Sequence, residues 1–171
     1  MEQKKKRTPA LLWTAALFAT MVLVVTLTSA LTPRDSHMPE AEGKAVWDYI
    51  MEEDPYTEWD QWPGHDGMHE GQSPHGAYLK LYVNDVAKSA INNGKAMMPD
   101  NALIVKENYD KNKELVALTP MYKVNGYNPD AGNWFWAKYG KNGRIAAEGK
   151  VGSCIDCHKK AGDHYLFSMN E

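Results

Sequence analysis

Cysteine is almost absent from this chain of 171 residues, which has only Cys154 and Cys157. A closed structural zinc site takes four ligands, commonly delivered as two spaced pairs. Beyond the adjacent His158 only His164 follows the two cysteines and there is no third thiol, so a zinc reading lacks its second half. A thioredoxin-like redox pair would sit just after an early strand, not in the last tenth of the chain. Basic residues are not in excess either. The 19 Lys and Arg stand against 22 Asp and Glu, which gives no support for nucleic-acid binding. Four long amphipathic helices are missing as well, so the sequence does not read as a helix bundle.

What the two cysteines do form is the pentapeptide Cys154-Ile155-Asp156-Cys157-His158, a C-x-x-C-H motif. Two thiols three positions apart can each add to a vinyl group of one haem. The adjacent imidazole then falls under the iron as its proximal ligand. The motif therefore predicts one covalently bound haem c, held by Cys154 and Cys157, with His158 on the metal. With both thiols so used, no intrachain disulfide is left, and stability must come from the core and the cofactor.

Haem attachment of this kind happens outside the cytoplasm, and the N-terminus agrees. Lys4-Lys5-Lys6-Arg7 precede an uncharged, mostly apolar run from Ala10 to Leu31. As a helix that run would reach about 33 Å, roughly the hydrocarbon thickness of a bilayer. The positive cluster in front predicts a cytoplasmic N-terminus and an exported domain behind it. Its length favours an uncleaved membrane anchor, while Thr28-Ser29-Ala30 offers small residues for cleavage of a signal peptide. Either way the domain is periplasmic or otherwise extracytoplasmic. Removing Glu2, Lys4, Lys5, Lys6 and Arg7 leaves 15 basic and 21 acidic residues, near −6, a charge that would suit a basic external redox partner.

The order expected along the chain is a basic stub and anchor over 1–31, a linker with a first helix over 32–58, and a haem domain over 59–171. Residues 39–54 read as that helix, with Ala41, Ala45, Trp47 and Ile50 near helical spacing. Residues 55–76 are dense in glycine and proline and read as loop, although they hold Trp59, Trp62, His65, His69 and His75. Ala77 to Val83 alternates as a strand. Asn84 can cap a short helix through Asn92. Further strands are expected over 102–109, 115–124, 134–139 and 145–150, with Gly140-Lys141-Asn142-Gly143 as a hairpin turn. Thr119-Pro120 marks the 115–124 strand as an edge or bulged one. A short helix over 154–160 carries the haem motif. The fold class is α+β, mainly antiparallel sheet with a few helices.

Several runs, taken together, resemble the cytochrome P-460 family and its cytochrome c′-beta branch. They are Pro74-His75-Gly76, Tyr82-Val83-Asn84, Met98-Pro99-Asp100, Ile104-Val105-Lys106-Glu107-Asn108-Tyr109, Gly126-Tyr127 and Trp134-Phe135-Trp136-Ala137-Lys138-Tyr139, closed by C-x-x-C-H. The resemblance covers about Trp59 to Phe167. It implies a homodimer of sheet-rich subunits, each with one five-coordinate c-type haem. Members with a lysine joined to the macrocycle oxidise hydroxylamine, and relatives without it bind nitric oxide and other small gases. Lys106-Glu107 matches the lysine-then-glutamate context of the cross-link. Alternation puts Lys106 with Ala102 and Ile104, opposite Leu103 and Val105, without saying which face meets the cofactor.

An oxidase or gas-binding haem needs an open sixth position. Met97, Met98, Met121 and Met169 are ligand candidates by type, but such residues are more often gap-filling core. His65, His69 and His75 are candidates too, read first as loop histidines, with a cofactor carboxylate contact open to His75. Hydroxylamine oxidation also needs a base, because protons leave as electrons pass to the iron. The resemblance assigns that role to an acidic residue ahead of the haem motif, and Glu148 is the nearest candidate. The function expected is oxidation of hydroxylamine, or processing of nitric oxide, with electrons passing to an external acceptor. The alternative is a cytochrome that only binds nitric oxide or carries electrons.

Overall fold

Among the described residues seven strands pair antiparallel to make one sheet. They are β1 (Asp60–Gln61), β2 (His69–Glu70), β3 (Tyr78–Val83), β4 (Leu103–Tyr109), β5 (Leu115–Lys123), β6 (Trp134–Gly140) and β7 (Ile145–Gly149). From β3 to β7 the spatial order follows the chain, and β1 and β2 both pair with the outer edge of β3. A computed structural model describes residues 37–169. The anchor or signal segment expected over 10–31 lies outside them. Among the described residues no helix is long and apolar enough to cross a membrane.

Among the described residues three short α-helices flank the sheet: α1 (Gly43–Asp48), α2 (Asp85–Asn92) and α3 (Gly152–His158). The first continues as one wide turn over Tyr49–Glu53, so the helix expected from 39 starts later and ends as predicted. Period-two alternation divides the apolar residues of each strand between two cores. On one face Leu103, Val105, Phe135 and Tyr139 pack against Val46 and Ile50 of α1 and its wide turn. On the other, Ile104, Met121, Trp134 and Trp136 pack with α2 residues, Cys154 and Ile155. Aromatics on both sides of β6 are thus both used. Segment 43–58 also belongs to the packed body, since Tyr139 donates its hydroxyl to the Gly43 carbonyl at 2.7 Å.

The strand over 115–123, expected as an edge or bulged one, is the bulged kind: its register with β4 shifts between Asn108 and Tyr109, whose partners Ala117 and Leu115 skip Val116. It lies inside the sheet, between β4 and β6, and not at an edge. Proline is accommodated because Pro120 pairs only toward β4: the ladder to β6 runs from Leu118↔Tyr139 to Met121↔Trp136 and omits the two positions between. A missing N–H there costs no cross-strand bond.

Asn84 ties α2 to the sheet. Its side-chain carbonyl accepts from Ala87 N and from Leu103 N, both at 3.0 Å, and its amide donates to Asn101 O at 2.9 Å. One residue thus caps a helix and closes a strand end while buried. Asn84→Ala should cost about 2–4 kcal/mol, one lost cap plus one buried N–H left without a partner. Chemical denaturation of the variant, with an unchanged m-value, checks this; a loss below about 0.5 kcal/mol would contradict it.

Candidate haem site

The last turn of α3 places three side chains together. Cys154 and Cys157 are three residues apart and His158 is four from Cys154, spacings that share one helix face. That face meets a cavity of about 310 Å³, within the usual range for cofactor sites. Cys154, Cys157 and His158 line one side; Ile104, Lys106, Asn108 and Met121 on β4 and β5 line another. His75, from the loop before β3, lies across it. A second depression, around Met38, Tyr122 and Tyr127, has none of these groups.

His158 is held as a metal ligand must be. Its Nδ1 lies 2.8 Å from the Tyr165 carbonyl, an acceptor only, so Nδ1 carries the proton and Nε2 keeps its lone pair. Such a hydrogen bond on the far nitrogen sets the tautomer and orientation of a ligating imidazole. Tyr165 adopts φ +62, a left-handed conformation costly for a residue with a Cβ, and so turns that carbonyl toward the ring. Trp134 Nε1 pins the same tail by donating to the His164 carbonyl at 3.2 Å. Trp136 and Phe167 pack edge-on against the His158 ring at 4.7 and 5.6 Å. Burial, and after it the charge of Lys106, lower the His158 pKa, which keeps the ring neutral.

The residues present fit a haem. Both thiols are free and half-buried at the cavity wall. Trp136 Nε1 is buried and has no hydrogen-bond partner among the described residues, a donor that a cofactor carboxylate can satisfy. Among the described residues two lysines, Lys106 and Lys138, and no Asp or Glu line the cavity, a balance suited to an anionic cofactor. Among the described residues no group of three or more His, Cys, Asp or Glu side chains converges as a metal-ion site, so the cysteine pair has no partners for zinc. The profile of the Cytochrome P460 family matches residues 56–168. The chain belongs to the cytochrome P460 family. Membership implies a haem cofactor, in agreement with the pentapeptide. No curated protein matches it at a significant level.

Within this family member the predicted site residues separate. Lys106 is on the cavity face, a question alternation left undecided. Glu148 is not there. On β7, Ala147 faces the cavity, while Glu148, one residue on, faces the α1 side. Its carboxylate packs so closely over Gly43 that a Cβ at that position would collide with it. The strand's period of two is the physical reason for this correction. Met98 is buried in the core and Met97 is exposed, whereas Met121 reaches the cavity wall. His65 and His69 pair with each other, ring centres 5.6 Å apart, and do not line the cavity.

Sequence reasoning missed Asn108, which is 4% exposed. Its amide nitrogen donates to the carbonyls of Lys106 and Ala117 and to Thr119 Oγ1 at 3.0, 3.2 and 3.1 Å. That fixes Oδ1 toward the Gly76 N–H and His75 Nδ1, the latter at 2.9 Å. In the sequence Asn108 only ends the polar run Lys106-Glu107-Asn108 near the close of β4, so no local pattern marks it out.

Proposed function

We propose that this protein is an exported, membrane-anchored cytochrome with one haem c bound through Cys154, Cys157 and His158. It oxidises hydroxylamine and passes the electrons to an external acceptor. The observation that carries the haem assignment is the bare Nε2 of His158, beside two thiols at the wall of one cavity. When bound, the cofactor supplies an iron that takes a small nitrogen compound and accepts its electrons. The chain's own residues do the rest. Trp136 and Phe167 hold His158 in place, the sheet walls limit access to small molecules, and Trp136 offers a donor to a cofactor carboxylate.

Lys106 supports the hydroxylamine reading, because its place on the cavity face allows a bond from Nζ to the macrocycle edge. Forming that C–N bond removes one hydrogen from each partner and two electrons in all, which a two-electron oxidant such as a peroxide takes up. A second reading, nitric oxide binding without turnover, is favoured by the acid-free lining of the cavity. A base for proton removal would otherwise be expected there. The reduced visible spectrum, followed by titration with hydroxylamine and with nitric oxide, tests both. A red-shifted main band with hydroxylamine-dependent reduction of an added acceptor supports oxidation. An ordinary c-type band, with nitric oxide binding and no turnover, assigns the second reading.

A further inference from the structure

Lys123 is a charged side chain in an apolar place. It ends β5 on the cofactor face of the sheet, two positions beyond Met121 of the cavity wall and opposite Trp134 of β6. Only 8% of it is exposed. Its Nζ donates to the Gly132 carbonyl and lies 5.1 Å from the centre of the Trp134 ring. Burial lowers its pKa, with the Asp100 carboxylate acting against that. Methionine would fill the same space without the cost of taking a charge out of water, so packing alone does not account for a lysine.

We propose that Lys123 is a positioning residue for His158: it fixes the turn and the ring that hold the Tyr165 carbonyl on Nδ1 of the proximal imidazole. This rests on the haem reading above and adds to it a residue outside the C-x-x-C-H segment.

Two routes lead from Lys123 to that carbonyl. The first runs through Trp134, which is fully buried and donates from Nε1 to the His164 carbonyl at 3.2 Å. The second runs through Gly132, at φ +66, whose carbonyl Lys123 holds. Gly132 is wedged between two rings: a Cβ there would lie 2.9 Å from the Tyr165 ring and 3.2 Å from that of Trp134. The Tyr165 hydroxyl also donates to the Asp130 carbonyl, at 3.5 Å, in the turn just before. Both routes close on Tyr165, whose carbonyl accepts from His158 Nδ1 at 2.8 Å.

That carbonyl needs holding. Tyr165 sits at φ +62, and a strained conformation persists only where its surroundings over-determine it. The partner on the far nitrogen of a ligating imidazole sets the ring's orientation and its basicity toward the metal. Without Lys123 the Gly132 carbonyl loses its donor and the Trp134 face its cation, a contact that is worth more when desolvated. Both supports of Tyr165 then loosen together, and His158 binds the iron more weakly.

The test uses the full-length, haem-loaded protein in its reduced form, with resonance Raman scattering to read the iron–histidine stretch. Lys123→Met should move that band to lower frequency, while Lys123→Arg, which keeps a cation and an N–H donor, should leave it near the wild-type position. Trp134→Phe removes the N–H on the His164 carbonyl and should also lower the band. The double variant Lys123→Met with Trp134→Phe should shift it by less than the sum of the two, because both act on one tail. An unchanged band in Lys123→Met, whatever its stability, overturns the proposal and leaves the lysine a role in folding alone. Equal shifts in Lys123→Met and Lys123→Arg overturn it as well. If Lys123→Met does not fold, Lys123→Gln, which removes the cation and keeps a donor, takes its place, and an unchanged band there has the same meaning. A wild type with no iron–histidine band, whose haem leaves into acidified solvent, overturns the haem reading and this proposal together.

Discussion

A chain carrying both Cys154→Ser and Cys157→Ser is expected to retain no thioether-bound haem. The two thiols share the inner face of α3 with His158, and no other cysteine exists to replace them. In a Lys106→Leu background, where no ring bond from that lysine is possible, acidified organic solvent should carry all the colour away from the double variant and none from the parent with both cysteines. Each single variant should keep its haem through one bond, with the pyridine haemochrome band displaced toward that of a haem with one vinyl group left free. Losing the tether also removes a ligand that binds only the native state, so the double variant should unfold at lower temperature unless haem is added in excess. Colour that stays with the doubly substituted chain would show that the attachment lies elsewhere. His158→Ala separates the two roles. The thioether bonds should survive, because they do not need the imidazole, while the axial bond and its spectrum disappear.

The sheet was readable in the sequence wherever a local pattern determines it. Tyr78 to Val83 alternates and is half-buried on one side. Asn84 caps α2, and Gly143 takes φ +80 in the hairpin turn that Gly140-Lys141-Asn142-Gly143 announces. C-x-x-C-H is likewise local, since one helix turn sets the three ligands. Which face of the sheet meets the cofactor is a tertiary property. Alternation groups Lys106 with Ile104 and separates Glu148 from Ala147, but it does not say which group is near α3. The packing of α1 under Leu103, Val105 and Tyr139 claims the other face, and Glu148 goes with it. Pro120 alone does not tell an edge strand from a bulged one inside the sheet: proline argues against a ladder on both sides, and here one side does without. The Tyr165 carbonyl that orients His158 was out of reach, because a backbone group has no sequence signature.

Lys106→Leu is expected to have the largest effect on chemistry. If Nζ is bonded to the ring, the wild-type digest holds one peptide in which the Lys106 segment and the Cys154–His158 segment share a haem. The variant digest lacks it. The main reduced band should return to the position of an ordinary c-type haem, since an amine on the ring edge no longer alters its electronics. Hydroxylamine turnover should fall by about a hundredfold or more, roughly 3 kcal/mol of barrier. Leucine keeps the strand packed between Leu81 and Thr119, the cross-strand neighbours of Lys106, so folding should survive. The paired control is Glu148→Ala, which should leave band and turnover unchanged, because that carboxylate lies across the sheet over Gly43. A loss of turnover in Glu148→Ala with an unaltered spectrum would return the proton-accepting role to Glu148 and contradict its placement here. An unchanged spectrum and unchanged turnover in Lys106→Leu would end the cross-link reading, and the protein would then stand with the nitric oxide-binding branch of its family.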